Sequence, residues 1–107
     1  MLATKDFETE EELDFQVCFP LPPIQGNDRV QLAKREIHRL IDQSPTSIEL
    51  EFDAIRGVSS DLINFLIWCQ MECNRNRIRL RVNHVDPEIK KVFRFAGLNQ
   101  VLDMEAR

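Results

Sequence analysis

Apolar and polar residues alternate along three short segments of the chain, and this period of two predicts β-strands. The apolar positions of the three segments are Phe15, Val17 and Phe19; Ile48, Leu50 and Phe52; and Ile78, Leu80 and Val82. The first segment ends at Pro20, and Pro22 and Pro23 bar regular pairing beyond it. The three segments together supply one apolar sheet face for a core.

Two further segments repeat apolar residues every three or four positions, which predicts amphipathic helices between the strands. The first helix is predicted to begin at Asp28, which forms a capping box with Gln31, and to end at Ser44-Pro45. The second helix is predicted over residues 61–74. Each helix therefore connects two consecutive strands.

A third helix has the clearest boundaries in the sequence. Asp86 is its predicted cap, Pro87 its first helical residue, and Gly97 the left-handed residue beyond its end. The residues predicted to face the core are Ile89, Val92, Phe93 and Ala96, followed by Leu98, Val101 and Leu102. This helix closes the domain.

Strand, helix and strand in this order, with short connections, predict parallel pairing through a right-handed crossover. Glu49 and Glu51 would then share a sheet face with Arg79 and Arg81. Opposite charges on neighbouring strands attract, so we interpret these arginines as a solvated charge ladder in preference to a phosphate-binding patch.

Ser59 and Ser60 lie where the connection after the second strand ends and the second helix begins. Either hydroxyl can act as an N-cap, with Asp61 as a first-turn acid. A hydroxyl at this place also lies at the positive end of the helix dipole, where backbone N–H groups can hold an added phosphate. Capping and phosphorylation are compatible interpretations, and both stay open.

The second helix has a buried and a polar face. Its predicted buried residues are Leu62, Leu66, Cys69 and Cys73. Trp68 falls on the polar side, so it either lies over a neighbouring helix or is presented to a partner. Ile63, Asn64 and Ile67 would border a docking surface centred on Ser60, although for Ile63 and Ile67 we favour packing at the flank of the core.

Composition narrows the class of protein. A chain of 107 residues with 43% hydrophobic and 30% charged residues is one ordinary globular domain. The net charge of −4 argues against nucleic acid as the main partner and favours a protein partner. No apolar run approaches the roughly 20 residues that span a bilayer, and no signal peptide is evident, so we expect a cytoplasmic protein without direct membrane insertion.

The first residues differ from the rest of the chain. Residues 1–12 are rich in acidic residues and poor in apolar ones, which predicts a loose acidic leader. The folded domain is predicted over residues 13–107.

The three cysteines cannot all pair within one chain, and their apolar context indicates reduced thiols. Cys69, Cys73 and His84 could be imagined as a metal site, but structural zinc usually has four ligands and closer cysteines. A nucleophilic pair of Cys69 with His38 or His84 is disfavoured, because a cysteine on a buried helix face is shielded from substrate. We predict no metal, no cofactor and no catalytic residue.

Residues 48–102 resemble a STAS domain, above all those of bacterial anti-sigma factor antagonists. The resemblance lies in the order of the elements, in the serine pair that opens an apolar helix, and in the Arg-Ile-Arg-Leu-Arg-Val strand of residues 77–82. It also lies in the ending from Pro87 to Leu98, in which Ala96-Gly97-Leu98 is the most specific part. The resemblance implies an α/β fold of STAS type, a single domain with a mixed four-stranded sheet flanked by helices.

The resemblance also implies a site. In such antagonists a serine at the start of the second helix is phosphorylated, within a motif Asp-Ser-Ser/Thr-Gly-Leu. The matching stretch here is Ser59-Ser60-Asp61-Leu62, so Ser60 falls on the phosphorylated position. Ser59 replaces the Asp, Asp61 the second hydroxyl residue and Leu62 the Gly. The implied protein-binding residues are Ser59, Ser60, Asp61, Leu62, Ile63, Asn64, Ile67 and Trp68.

The implied function is non-enzymatic partner switching. The unmodified domain would bind an anti-sigma factor that is a serine kinase, and phosphorylation of Ser60 would dissociate the complex. An alternative, from small free-standing STAS proteins, is an accessory subunit of a membrane lipid-transport ABC ATPase, docked without a phosphate cycle. The sequence is also compatible with a homodimer.

Overall fold

The computed structural model describes residues 15–98 and the two-residue strand Asp103–Met104. Two predictions lie outside the described residues. One is the acidic leader over residues 1–12, and the other is the contribution of Val101 and Leu102 to the core.

Strands and helices alternate along the described chain. The strands are β1 (Gln16–Pro20), β2 (Ser47–Glu51), β3 (Arg79–Asn83) and the short β4 (Asp103–Met104). The helices are α1 (Asn27–Ile41), α2 (Ser60–Arg75) and α3 (Pro87–Phe95), and none of these described helices is both long and apolar enough to cross a membrane. The three strands and three helices predicted from the periodicity are confirmed, and the protein is of the α/β class.

The sheet is parallel, with β2 between β1 and β3 and with β4 paired to the outer side of β3. Glu49 lies opposite Arg81 in the register, and the Arg81 Nη1 to Glu49 Oε2 distance is 3.9 Å. The predicted parallel pairing and the shared charged face are confirmed. Every pairing among the described strands is parallel, so the mixed sheet with an antiparallel strand stays a prediction.

One hydrophobic core joins the apolar sheet face to the three helices. The largest side chains that it encloses include Phe52, Phe65, Phe93, Ile48, Leu50 and Leu66. The predicted buried face of α2 is confirmed, since Leu62 is 2% exposed and Leu66, Cys69 and Cys73 are each fully buried. The core therefore holds α2 firmly against the sheet.

The start of α1 differs from the prediction. Its N-cap is Gly26, which has a φ of 89°, and no side chain caps this end of the helix. The predicted capping box of Asp28 and Gln31 is wrong, because the helix begins one residue before Asp28. Both side chains are exposed.

The buried stripe of α3 is narrower than predicted. Ile89 and Phe93 are buried, whereas Val92 is 41% exposed and Ala96 is also exposed. The buried contact of α3 with the core is made by this one pair of side chains at i and i+4. The predicted cap is confirmed: the Glu88 N–H donates to Asp86 Oδ1 at 2.9 Å.

Candidate protein-binding site at the start of helix α2

Ser59 fixes the beginning of α2. It has extended backbone angles, and its Oγ accepts a hydrogen bond from the Leu62 N–H at 3.1 Å. The same hydroxyl donates to the carbonyl oxygen of Ile24 at 3.1 Å. Of the two serines that the sequence left open, Ser59 is therefore the N-cap.

Asp61 makes a second connection between the two helix starts. Its Oδ2 accepts a hydrogen bond from the backbone N–H of Gly26 at 2.8 Å, across 35 positions of sequence. Gly26 has the positive φ that favours glycine, so its N–H can be directed at this carboxylate. Asp61 thus does more than occupy a first helical turn: it holds α2 to the beginning of α1.

Ser60 is the first residue of α2 and is exposed. Its hydroxyl has no hydrogen-bond partner among the described residues. The N–H groups of Leu62 and Ile63 donate to the side chain and the carbonyl of Ser59, while no described residue accepts from the N–H groups of Ser60 and Asp61. An exposed hydroxyl and two available backbone donors therefore meet at the helix terminus.

A cleft of about 260 Å³ adjoins this terminus. It is lined by Pro23, Ile24 and Gln25, by residues 54–58, and by Ser59 and Leu62. Leu62 is 2% exposed, so its side chain belongs to the core and is not available to a partner as the sequence suggested. The cleft gives the site a concave border.

The exposed side of α2 continues the site along the helix. Five residues follow one another at helical spacing on this side, and we call them the outer stripe: Ser60, Ile63, Asn64, Ile67 and Met71. Ile67 is 41% and Met71 58% exposed, whereas Ile63 is half-buried against the core. Sequence reasoning missed Met71, although its i+4 spacing from Ile67 was a signal for it.

Trp68 lies over the neighbouring helix. Its ring makes an edge contact with His38 at 5.2 Å between centroids, and Lys34 Nζ lies 5.0 Å from the ring centroid. It also stacks on Phe65 at 6.2 Å. Of the two alternatives for Trp68, packing between helices is the one observed.

Replacing Ser59 with alanine is expected to lower the free energy of unfolding by about 1–2 kcal/mol, because the helix cap and the bond to Ile24 are both lost. Ser60→Ala is the matched control, and it should change stability by less than about 0.5 kcal/mol because its side chain is exposed. Urea unfolding followed by circular dichroism measures both values. Equal losses would contradict the assignment of Ser59 as the cap.

The eight predicted binding residues thus divide by position. Four lie on the outer stripe: Ser60, Ile63, Asn64 and Ile67. Ser59 and Asp61 fix the helix start, Leu62 lies in the core, and Trp68 lies between α1 and α2.

No protein-family model matches the chain, and no curated protein shows significant similarity to it.

Proposed function

We propose that this chain is a non-enzymatic protein-binding module of STAS type, resembling the anti-sigma factor antagonists, whose partner docks on the start of α2. In this proposal phosphorylation of Ser60 releases the partner, which is an anti-sigma factor with serine kinase activity. The observation that carries the proposal is the exposed Ser60 hydroxyl at the first residue of a firmly held helix.

Rigidity at the site supports this function. Docking on a rigid surface costs less ordering entropy than docking on a flexible one. The bonds from Ser59 to Ile24 and from Gly26 to Asp61 hold the helix start on the scaffold. The replacement of the family's glycine by Leu62 is no obstacle to a partner, because this side chain is turned into the core. The outer surface at Ser60 therefore stays open to approach.

Electrostatics are compatible with a phosphate on Ser60. A negative group near a helix N-terminus gains about 0.3–1 kcal/mol at the surface, whereas the neighbouring Asp61 repels it. The Asp61 carboxylate already accepts a hydrogen bond from Gly26, which offsets part of its field. A phosphate dianion on Ser60 would oppose a partner that covers the helix start, because the partner would have to remove its charge from water.

The test compares wild type, Ser60→Ala and Ser60→Asp for binding to an anti-sigma kinase encoded beside this gene. We expect Ser60→Ala to retain binding and Ser60→Asp to weaken the Kd by about tenfold or more, equivalent to at least about 1.4 kcal/mol. Mass spectrometry after incubation with the kinase and ATP should place one phosphate on Ser60 in the wild type. Ser44→Asp is the control, because it adds the same charge at an exposed position outside the site. Absence of phosphate from Ser60 would overturn the switch.

A second candidate is favoured by the apolar part of the outer stripe. Ile67 and Met71 extend away from Ser60 along α2 and suit a constitutive contact that needs no phosphate. The partner would then be the ATPase of a membrane lipid transporter. Equal retention of that ATPase by the wild type and both Ser60 variants, together with its loss in Met71→Glu, would support this alternative.

A further inference from the structure

Three side chains that can bind metal ions meet at the carboxyl ends of β2 and β3. Glu51 is the last residue of β2, Asp53 follows two positions later, and His84 comes directly after β3. Glu51 and Asn83 lie opposite each other in the parallel register, so His84 is one step beyond this pair. In parallel α/β sheets this edge is where ligands commonly bind.

The donor atoms are close to the spacing of a metal site. His84 Nε2 lies 3.1 Å from Glu51 Oε1, and His84 Nδ1 lies 3.9 Å from Asp53 Oδ1. One donor atom from each of the three residues lies within 4.8 Å of the others. Zinc holds nitrogen and oxygen ligands at about 2.0–2.2 Å, so donors in a tetrahedral site are about 3.3–3.6 Å apart. One ion can take only one of the two imidazole nitrogens, so the spacing that matters is the 4.8 Å limit, and the donors must approach one another by up to about 1.5 Å to bind the ion.

The hydrogen bonds around Glu51 orient it for this role. Asn83 Nδ2 donates to Glu51 Oε2 at 3.2 Å and to Glu49 Oε1 at 2.8 Å. The other oxygen, Glu51 Oε1, is thereby directed at His84. A ligating carboxylate held by a hydrogen bond to its second oxygen is typical of protein metal sites.

The charge around the site favours a cation. His84 and Asp53 border a cleft of about 340 Å³, together with Asp86 and Arg56. Arg56 Nη1 donates to the backbone oxygen of Asp53, and Asp86 accepts from the N–H of Glu88. The charged side chains named here are thus three carboxylates, those of Glu51, Asp53 and Asp86, and one guanidinium, that of Arg56. The Asp53 side chain is 76% and that of His84 43% exposed, so an ion can enter from solvent.

A second group of donors lies beside this one. Cys18, Glu49 and Glu51 also bring their donor atoms within 4.8 Å of one another. In this second group Glu49 is already engaged, because its Oε1 accepts from Asn83 at 2.8 Å and its Oε2 lies 3.9 Å from Arg81 Nη1. A guanidinium beside the carboxylate disfavours a cation there, so the His84 group is the better site.

We propose that Glu51, Asp53 and His84 bind one divalent transition-metal ion of the zinc type, with water completing its coordination. One nitrogen and two oxygen donors suit such borderline ions, whereas calcium and magnesium prefer oxygen alone. This site is separate from Ser60 and does not depend on the function proposed for that residue.

The test is isothermal titration calorimetry of the full chain with zinc chloride in a buffer that does not bind metals. We expect one saturable site in the wild type and a Kd weakened by about tenfold or more in Glu51→Gln and in His84→Asn. Asparagine suits position 84 because His84 has a φ of 61°, a conformation that asparagine tolerates. Asp53→Asn changes an exposed side chain and should weaken binding in the same direction.

Two controls decide between the neighbouring sites. His38→Asn removes the other histidine of the chain and should leave zinc affinity unchanged. Cys18→Ser should also leave it unchanged, and a loss of binding confined to this variant would assign the ion to the thiol group and overturn the proposal. Absence of saturable binding in the wild type, or full affinity in folded Glu51→Gln and His84→Asn, would overturn it as well. Circular dichroism without zinc verifies that each variant is folded.

Discussion

Replacing Phe93 with alanine is expected to lower the free energy of unfolding by about 3–5 kcal/mol. Phe93 is fully buried, and its ring meets that of Phe52 edge-on with 6.0 Å between centroids. The substitution removes the buried area and this ring contact and leaves a cavity between α3 and the sheet. A loss of this size is a large part of the roughly 5–15 kcal/mol that stabilises a domain. Urea unfolding monitored by far-ultraviolet circular dichroism measures it.

The matched control is on the same helix. Phe95 is 94% exposed, so Phe95→Ala makes the same chemical change in α3 without opening a cavity. We expect it to change stability by less than about 0.5 kcal/mol. Because both substitutions share the gain in helix propensity from phenylalanine to alanine, the difference between them isolates burial. Similar losses in the two variants would contradict the packing described for α3.

Alkaline pH is expected to destabilise the protein through its buried thiols. Burial raises the pKa of Cys73 to about 11 from an ordinary value of 9.0, and the nearby Glu72 adds to this rise. Burial also raises the pKa of Cys69 well above its ordinary value. Between pH 9 and 11 the unfolded chain therefore releases protons that the folded chain keeps, so stability is complete below pH 9 and falls as pH rises. For Cys73 alone the loss is about 3 kcal/mol, at about 1.4 kcal/mol per unit.

The measurement is the free energy of unfolding at several pH values from 8 to 11, under reducing conditions. Lysines also titrate in this range, so the informative quantity is the slope in Cys73→Ala compared with that in the wild type. We expect the slope to become shallower in Cys73→Ala. Cys18→Ala serves as the control, because Cys18 is exposed and contributes less to the slope. An unchanged slope in Cys73→Ala would contradict the prediction.

The sequence pattern was sufficient for the three strands β1, β2 and β3. The alternation of Ile48, Leu50 and Phe52 with charged residues is a local signal with a single physical cause, the burial of one sheet face. It predicted both the strand and the position of Glu49 near Arg81, which the register confirms. The buried face of α2 follows from the same kind of signal at helical spacing.

The details of the site could not be read from the sequence, because they depend on bonds between distant residues. Asp61 contacts Gly26 across 35 positions, and Ser59 contacts Ile24 across the same separation. Local pattern could not choose between Ser59 and Ser60 as the cap, nor could it place Trp68. For Trp68 the position of α1 decides, since Lys34 and His38 cover the ring.

The approach of Glu51 to His84 could not be predicted for a related reason. Glu51 and His84 lie far apart in sequence and approach each other only because β2 and β3 are parallel neighbours in register. The charge ladder was predicted from those same strands, but His84 lies beyond the last paired residue, where the alternating pattern has ended.

The position of Trp68 has a practical consequence. It is the single tryptophan of the chain, and its half-buried indole contacts Phe65 of its own helix and His38 and Lys34 of α1. Indole emission shifts to longer wavelength on contact with water, so the intrinsic fluorescence reports the separation of α1 from α2 without any added label. A ligand that separates these helices is therefore expected to shift the emission maximum of Trp68 to longer wavelength.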